Sequence, residues 1–304
     1  MSGAKFLVTG ATGQVALPIA EALAVDNDVV AIARFTDQPA RERLERAGVR
    51  CMVVDLLTAD FSLVPDDVTY VLNFAVSKAG NWAADLDSYA SSLGFLMEHC
   101  RSATAFLHCS STAVYQPNGH HTFREDDPLG DNHRVYEAFL PFMQTYSISK
   151  IAAEAMVHYA ARRWNIPTTI ARLNVPYGDN GGWPAIHLDM MLGGMQVPVH
   201  PNAPGRYNPI HEDDIIATIP GLLAAASVPA TVVNWGGEPA TVQEWCAVLG
   251  ELAGLQPQFV TTDQTIDSVT VDLSRMHELL GTTNVALRDG LQRMVVARHP
   301  ELIR

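Results

Sequence analysis

The chain has 304 residues, 48% hydrophobic and 17% charged, which excludes a disordered chain. The length allows a sizeable core in two domains, or in one large α/β domain with a smaller lobe. Lys plus Arg is 20 against 33 for Asp plus Glu, and the net charge of −13 argues against nucleic acid or an anionic membrane as partner. The four cysteines, Cys51, Cys100, Cys109 and Cys246, form no CxxC pair and sit among apolar neighbours, so buried reduced thiols are expected. The sequence shows neither a signal-like start nor an apolar run of about 18 residues, and a cytoplasmic protein is expected.

In chain order, short apolar runs alternate with longer amphipathic stretches. Strands are expected at Lys5–Thr9, Asp28–Ala33, Val49–Val54, Thr69–Ala75 and Ala103–Ser110. Helices are expected at Gln14–Val25, Pro39–Ala47, about Asn81 to Arg101, and Thr145 to Trp164. Strands separated by helices predict a doubly wound parallel sheet of Rossmann type. After Leu173 the texture becomes rich in Gly, Pro and Asn, and 174–210 reads as loop-rich. A helix near Asp213–Ala226, a strand at Thr231–Trp235, a helix at Thr241–Ala253 and a helical 272–299 follow. The expected organisation is a dinucleotide-binding core over 1–173, with returning segments near 207–236, and a smaller α/β substrate lobe formed mainly by 174–304.

The first strand runs into Thr9-Gly10-Ala11-Thr12-Gly13-Gln14-Val15-Ala16, a G-x-x-G-x-x-A turn at a strand-to-helix junction. Gly10 permits the tight turn, Gly13 lets a pyrophosphate approach the backbone, and Ala16 allows close helix packing. The helix N-terminus offers free N–H groups and a partial positive charge. The second strand ends in Ala33-Arg34 where an acid would accept a ribose 2′-hydroxyl, so Arg34 is expected to hold a 2′-phosphate and NADP is favoured over NAD. An arginine stacked on adenine, which NAD also allows, is the alternative. Arg41 and Arg43 read as solvated helix residues. Asp55-Leu56 follows the third strand, where the carboxylate meets an adenine amino group or caps a turn. Asn73-Phe74-Ala75 ends the fourth beside the cofactor.

Tyr146 and Lys150, spaced i, i+4, share one helical face. A nearby ammonium favours the phenolate and lowers the tyrosine pKa toward use as an acid or base. Lysine is scarce here, only Lys5, Lys78 and Lys150, which gives the YxxxK spacing weight. Ser110-Ser111-Thr112 ends the fifth strand, where hydroxyls face a ligand crevice or cap a turn.

Together with Arg172-Leu-Asn174-Val-Pro-Tyr-Gly178 and Pro209-Ile-His211-Glu-Asp-Asp214-Ile, these motifs resemble the extended short-chain dehydrogenase/reductase family, in its NAD-dependent epimerase/dehydratase branch. The resemblance covers roughly residues 4–290. It implies Tyr146 and Lys150 as catalytic residues, Ser111 rather than Ser110 as hydrogen-bond donor to the substrate oxygen, and Asn174 as a substrate contact. His211 and Asp214 would tie the lobe to the core. A homodimer through helices flanking the YxxxK segment is also implied. The implied activity is hydride transfer between nicotinamide C4 and a secondary alcohol or ketone. Thr112 and Ala113 stand where dehydratases of this type carry two carboxylates, which argues against dehydration. A nucleotide-sugar (UDP-sugar) 4-epimerase is the alternative, and it requires cations for the diphosphate. Arg206, with Arg275 or Arg288, is what the lobe offers. A cofactor-sensing protein without catalysis is a third alternative.

Other residues carry weaker expectations. His120, His121 and His133 read as a solvated loop and no metal is expected. Trp183, Met190, Met191 and Met195 line the substrate pocket or pack the core. The 118–144 segment, with Phe123, Tyr136, Phe139, Phe142 and Met143, reads as an apolar lid over a less polar substrate.

Overall fold

The computed structural model describes residues 1–77, 80–134 and 143–302. Lys78 and the lid residues Tyr136, Phe139 and Phe142 lie outside the described residues. The first half runs β1 (Lys5–Thr9), α1 (Ala16–Ala24), β2 (Asp28–Ala33), α2 (Gln38–Arg46), β3 (Arg50–Val53) and β4 (Tyr70–Asn73). A π-helical turn (Ala83–Ser88) then leads into α3 (Tyr89–His99), followed by β5 (Ala105–Ser111), β6 (Thr122–Phe123), α4 (Tyr146–Trp164) and β7 (Thr168–Leu173). The second half opens with β8 (Pro176–Gly178), β9 (Gly181–Gly182), α5 (Trp183–Leu192), β10 (Val197–Val199), β11 (Arg206–Tyr207) and β12 (Ile210–His211). It continues with α6 (Glu212–Ala224), β13 (Thr231–Trp235), β14 (Ala240–Thr241), α7 (Val242–Ala253), β15 (Phe259–Thr261), β16 (Thr270–Val271), α8 (Ser274–Leu280) and α9 (Leu287–Arg298).

Seven strands form one parallel sheet in the order β13-β7-β5-β4-β1-β2-β3. This is the doubly wound arrangement expected, with the strand order reversing between β1 and β4, where such sheets open a ligand crevice. Side chains alternate between the two faces and divide the interior in two. Phe6, Val8, Leu72, Leu107 and Ala171 join one apolar cluster. Leu7, Val71, Phe106 and Ile170 join the other. Both faces are covered, which is why these strands read as continuous apolar runs.

Among the departures from the sequence reading, two concern the surroundings of the crevice. The loop-rich region contains α5 and several two- or three-residue strands. The α5 sequence, WPAIHLDMML, is apolar on most sides, so it lacks the polar-apolar contrast that marks a surface helix. The strand β7 is absent from the expected elements because Arg172 interrupts its apolar run. That arginine is buried and paired with Glu154 of α4, so the strand lies in the core despite its charge.

Candidate active site

At the C-terminal ends of β1, β2, β4 and β5 lies a crevice of about 940 Å³. One end is walled by the glycine turn. Gly10 has φ +65°, and a Cβ there would come within 2.8 Å of the Ala75 backbone, so only glycine fits between β1 and β4. A Cβ on Gly13 would meet only the Gly10 carbonyl, at 3.0 Å, and would otherwise project into open space. Val15 stands just before α1 and carries no side-chain oxygen to cap it, so the N–H groups of this turn other than those of Gly13 and Leu17, which the Gly10 and Gly13 carbonyls accept, can meet a phosphate. Thr12, Gly13, Gln14 and Val15 line this end. The donors and open backbone suit the pyrophosphate of a dinucleotide.

Further along the wall stand Arg34, Asp55, Leu56, Phe74 and Ala75. Arg34 is exposed at the end of β2. Arg41 and Arg43 are held by Glu45 and Glu21, so they are ion-paired rather than merely solvated. Among the described lining residues the cations are Arg34 and Lys150. Asp55 accepts the Leu57 amide at 3.0 Å and so caps the turn after β3 while remaining on the wall. Beneath Ala75, Thr9 Oγ1 donates to Asn73 Oδ1 (2.6 Å), and Asn73 Nδ2 donates to His108 Nδ1 (2.8 Å). That buried chain ties the ends of β1, β4 and β5 together.

The other end holds the reacting groups. Tyr146 opens α4 and lines the same end of the crevice as Ser111 at the end of β5, whose hydroxyl oxygen accepts the Ala113 amide at 3.2 Å. Lys150, one turn on, lies 6.0 Å from the centroids of the Tyr146 and Tyr89 rings and donates to the Cys109 carbonyl at 2.7 Å. The structure thus brings Ser111, Tyr146 and Lys150 together. Ser110 has its hydroxyl committed to Glu154. The sequence reading expected Lys150 to lower the Tyr146 pKa. Burial is the larger influence and raises it, while Lys150 and the neighbouring Ser111 hydroxyl act in the opposite direction.

Asn174 and Arg206, both expected at the substrate, are placed differently with respect to the crevice. Asn174 lies on the crevice wall, but its Nδ2 donates to the Val269 carbonyl (2.9 Å) and its Oδ1 accepts the Val175 and Asn208 amides. It ties the end of β7 to the chain at Asn208 and Val269. Arg206 is exposed and outside the lining, because Tyr207, its neighbour on β11, is the inward residue of that strand. Arg288 pairs with Glu251 on the exterior. His211 caps α6, and Asp214 accepts the Asn284 and Val285 amides. Trp183 lines the crevice, whereas Met191 is buried in the core.

Sequence reasoning missed several neighbours of the site. Asp85 is fully buried and accepts the Thr145 hydroxyl at 2.7 Å, fixing the residue before Tyr146. Tyr89 donates to the Ala75 carbonyl. His133 is not part of a solvated loop: it is buried on the crevice wall, its ring 5.1 Å from that of Tyr146. It sits there because Ser147, in the first turn of α4, bonds both its amide and its Nδ1. His120 and His121 pair elsewhere, with Ser268 and Asp127.

The family model described as "NAD dependent epimerase/dehydratase family" matches residues 6–225, most of the chain. The chain belongs to that family. It is therefore an NAD-dependent enzyme of the extended short-chain dehydrogenase/reductase kind. No curated protein matches. Among solved structures, UDP-glucuronic acid 4-epimerase from Bacillus cereus, in complex with UDP-glucuronic acid and NAD, is 19% identical. That likeness covers 98% of this chain and 99% of that one, with a TM-score of 0.81. UDP-glucose 4-epimerase from Thermotoga maritima is 19% identical over 98% and 99%, TM-score 0.78. dTDP-glucose 4,6-dehydratase from Bacillus anthracis, in complex with NAD, is 17% identical over 99% of both chains, TM-score 0.82. At such identities the likeness speaks to the fold.

These complexes correct the expected preference for NADP, since the similar structures hold NAD. The physical reason is that an exposed arginine at the end of β2 can lie over an adenine ring in either dinucleotide. Its presence does not read a 2′-phosphate.

Proposed function

We propose that the protein transfers hydride between NAD and a secondary alcohol or ketone, with Tyr146 as acid/base, Lys150 as its electrostatic partner and Ser111 as donor to the substrate oxygen. The observation that carries this reading is the meeting of Ser111, Tyr146 and Lys150 at one end of a crevice whose other end is the glycine turn. Gly10, Thr12, Gly13, Gln14 and Val15 would hold the pyrophosphate, Arg34, Asp55 and Leu56 the adenosine, and Phe74, Ala75 and Lys150 the nicotinamide half. NAD bound there supplies a two-electron acceptor or donor at nicotinamide C4. In oxidation, the phenolate of Tyr146 takes the carbinol proton as the carbon gives up its hydride. In reduction, the phenol returns the proton to the carbonyl oxygen. Ser111 donates to that oxygen in both directions, and the Lys150 ammonium offsets charge on the phenolate.

A second reading is a UDP-sugar 4-epimerase, favoured by the substrates in the similar structures. Against it stands a lining whose described cations, Arg34 and Lys150, both belong to the cofactor half. Incubation of the NAD-loaded protein with secondary alcohols and, separately, with UDP-glucose separates the two. Net NADH formation supports the first, and UDP-galactose formed without net NADH supports the second. Full turnover by Tyr146→Phe would sink both.

The exposed Phe95 of α3 and Tyr159 of α4, on helices packed side by side, support a homodimer through these helices. Four unpaired cysteines support a reducing, cytoplasmic setting. No helix among the described residues is long and apolar enough to cross a membrane.

A further inference from the structure

The described residues that the second half of the chain lends to the crevice run from Leu173 to Val269, and none of them carries a charge. Their polar members are engaged within the protein. The Asn174 amide holds the Val269 carbonyl and the Val175 and Asn208 amides. The Tyr207 hydroxyl donates toward the Ile266 and Asp267 carbonyls, each at 3.0 Å, so Tyr207 gives the crevice its ring. This surface starts beside the reacting groups. Leu173 is the partner of Ser111 on the neighbouring strand, Val269 is held by Asn174 and bridged to Tyr207, and Tyr207 touches Trp183.

Trp183 is fixed in place. Gly182 has φ +117°, and a Cβ there would come within 2.4 Å of the Pro176 carbonyl oxygen, so only glycine lets α5 start this close to β8. The indole packs edge to face on Tyr207, with ring centres 5.0 Å apart, and lies 5.6 Å from the His187 ring. It lines the crevice and is only partly buried. Ile186, one turn on along α5, also lines the crevice and is 55% exposed. Two large apolar side chains, adjacent and open to water on a binding crevice, mark a ligand that covers them. A phosphate or carboxylate laid against this surface would lose water and find no cation in return, whereas an apolar ring gains by leaving water.

We propose that this surface receives an uncharged aromatic ring next to the reacting carbon, with Trp183 and Ile186 as the residues that set the preference. The substrates are then aryl ketones and the matching carbinols. The inference rests on the proposed roles of Ser111 and Tyr146, which put the reacting oxygen at this end of the crevice. In reduction the carbonyl carbon takes hydride from NADH, which becomes NAD, and the carbonyl oxygen takes the Tyr146 proton.

The test compares acetophenone, 2-butanone and 4-acetylbenzoate on the NADH-loaded protein. Binding is titrated by saturation-transfer NMR in Tyr146→Phe, and turnover is followed by loss of NADH absorbance in the parent. Acetophenone is expected to bind about 30-fold more tightly than 2-butanone, from the apolar area that one ring removes from water. The carboxylate of 4-acetylbenzoate is expected to weaken binding at least tenfold relative to acetophenone. Trp183→Ala, added to Tyr146→Phe, should bring the acetophenone preference within about threefold, and Trp183→Phe should retain most of it. Ile186→Ser, at an exposed position that the fold tolerates, should lower it about threefold and keeps the test readable if Trp183→Ala does not fold, which a melting curve with NADH establishes. Equal binding of acetophenone and 2-butanone, binding of 4-acetylbenzoate as tight as acetophenone, no binding of any probe, or a preference that survives both Trp183→Ala and Ile186→Ser would overturn the proposal. Reduction of the ketones without an aryl preference would remove the aromatic surface and leave the oxidoreductase reading standing. An aryl preference in binding with no NADH consumed in the parent would do the reverse.

Discussion

The buried ion pair between α4 and β7 yields a sharp stability prediction. Arg172 Nε and Nη2 donate to the two oxygens of Glu154 at 3.0 and 2.8 Å, and Nη1 donates to the Tyr115 hydroxyl (3.1 Å) and the Glu125 carbonyl (2.8 Å). The guanidinium also lies 5.0 Å from the centre of the Tyr115 ring. Burial pulls the arginine pKa down, but Glu154 and Tyr115 outweigh it and hold the group above its ordinary range. The two side chains are only 5% and 3% exposed. Replacing Arg172 by Met leaves the Glu154 carboxylate in the interior with the Ser110 hydroxyl and no counter-charge. The expected cost is about 3–5 kcal/mol, the usual penalty for stranding one member of a buried pair. With a urea m-value of about 3 kcal/mol/M, the unfolding midpoint should fall by about 1–1.7 M at unchanged m. Adding Glu154→Leu removes the stranded charge and should restore most of that loss, because an apolar pair of similar volume replaces the ionic one. A single variant within about 1 kcal/mol of the parent, or a double variant no more stable than the single, would refute the reasoning.

Three further outcomes follow from the site. Because burial raises the Tyr146 pKa and oxidation needs the phenolate, kcat/KM for alcohol oxidation should climb about tenfold per pH unit through neutrality. Lys150→Met should push that limb to higher pH, and a flat profile between about pH 6 and 9 would contradict the assignment. His133 and His187 are held neutral by burial, each with a pKa lowered to about 4, while the unfolded chain protonates them near 6.5. The unfolded state then binds more protons, so stability is lost as pH falls from about 6.5 toward 4, by roughly 1.4 kcal/mol per unit for each ring. His187→Gln, which keeps an acceptor for the Trp245 indole N–H, should reduce that slope by one ring's share in urea titrations. Finally, Gln14 Nε2 donates to the Pro176 carbonyl at 3.1 Å, joining the glycine turn to β8. Gln14→Ala should weaken NAD binding by about 2- to 10-fold in calorimetry, and an unchanged affinity would show that this tie does not organise the turn.

The parts of the site visible in the sequence are those whose chemistry is local. The glycine turn, the YxxxK spacing and the ends of β1, β2 and β13 depend on contiguous residues and on strand or helix period, and their positions in the structure follow the sequence reading closely. What escaped it depends on partners far along the chain. Asp85 acts on Thr145 across 60 positions, and Arg172 is tolerable inside a strand only because Glu154 faces it from another element. His133 looked solvated because its local sequence, Gly-Asp-Asn-His-Arg, is polar. Its burial is imposed by Ser147, fourteen residues later, through two hydrogen bonds that no periodicity encodes. The Tyr146 pKa shows the same division. The sequence identified the lysine that favours the phenolate, a neighbour at i+4, but not the larger opposing influence, the burial of the ring among β5, α3 and the wall of the crevice. Burial thus works against the proposed base role of Tyr146, and Lys150 together with the Ser111 hydroxyl is what the chain supplies to offset it.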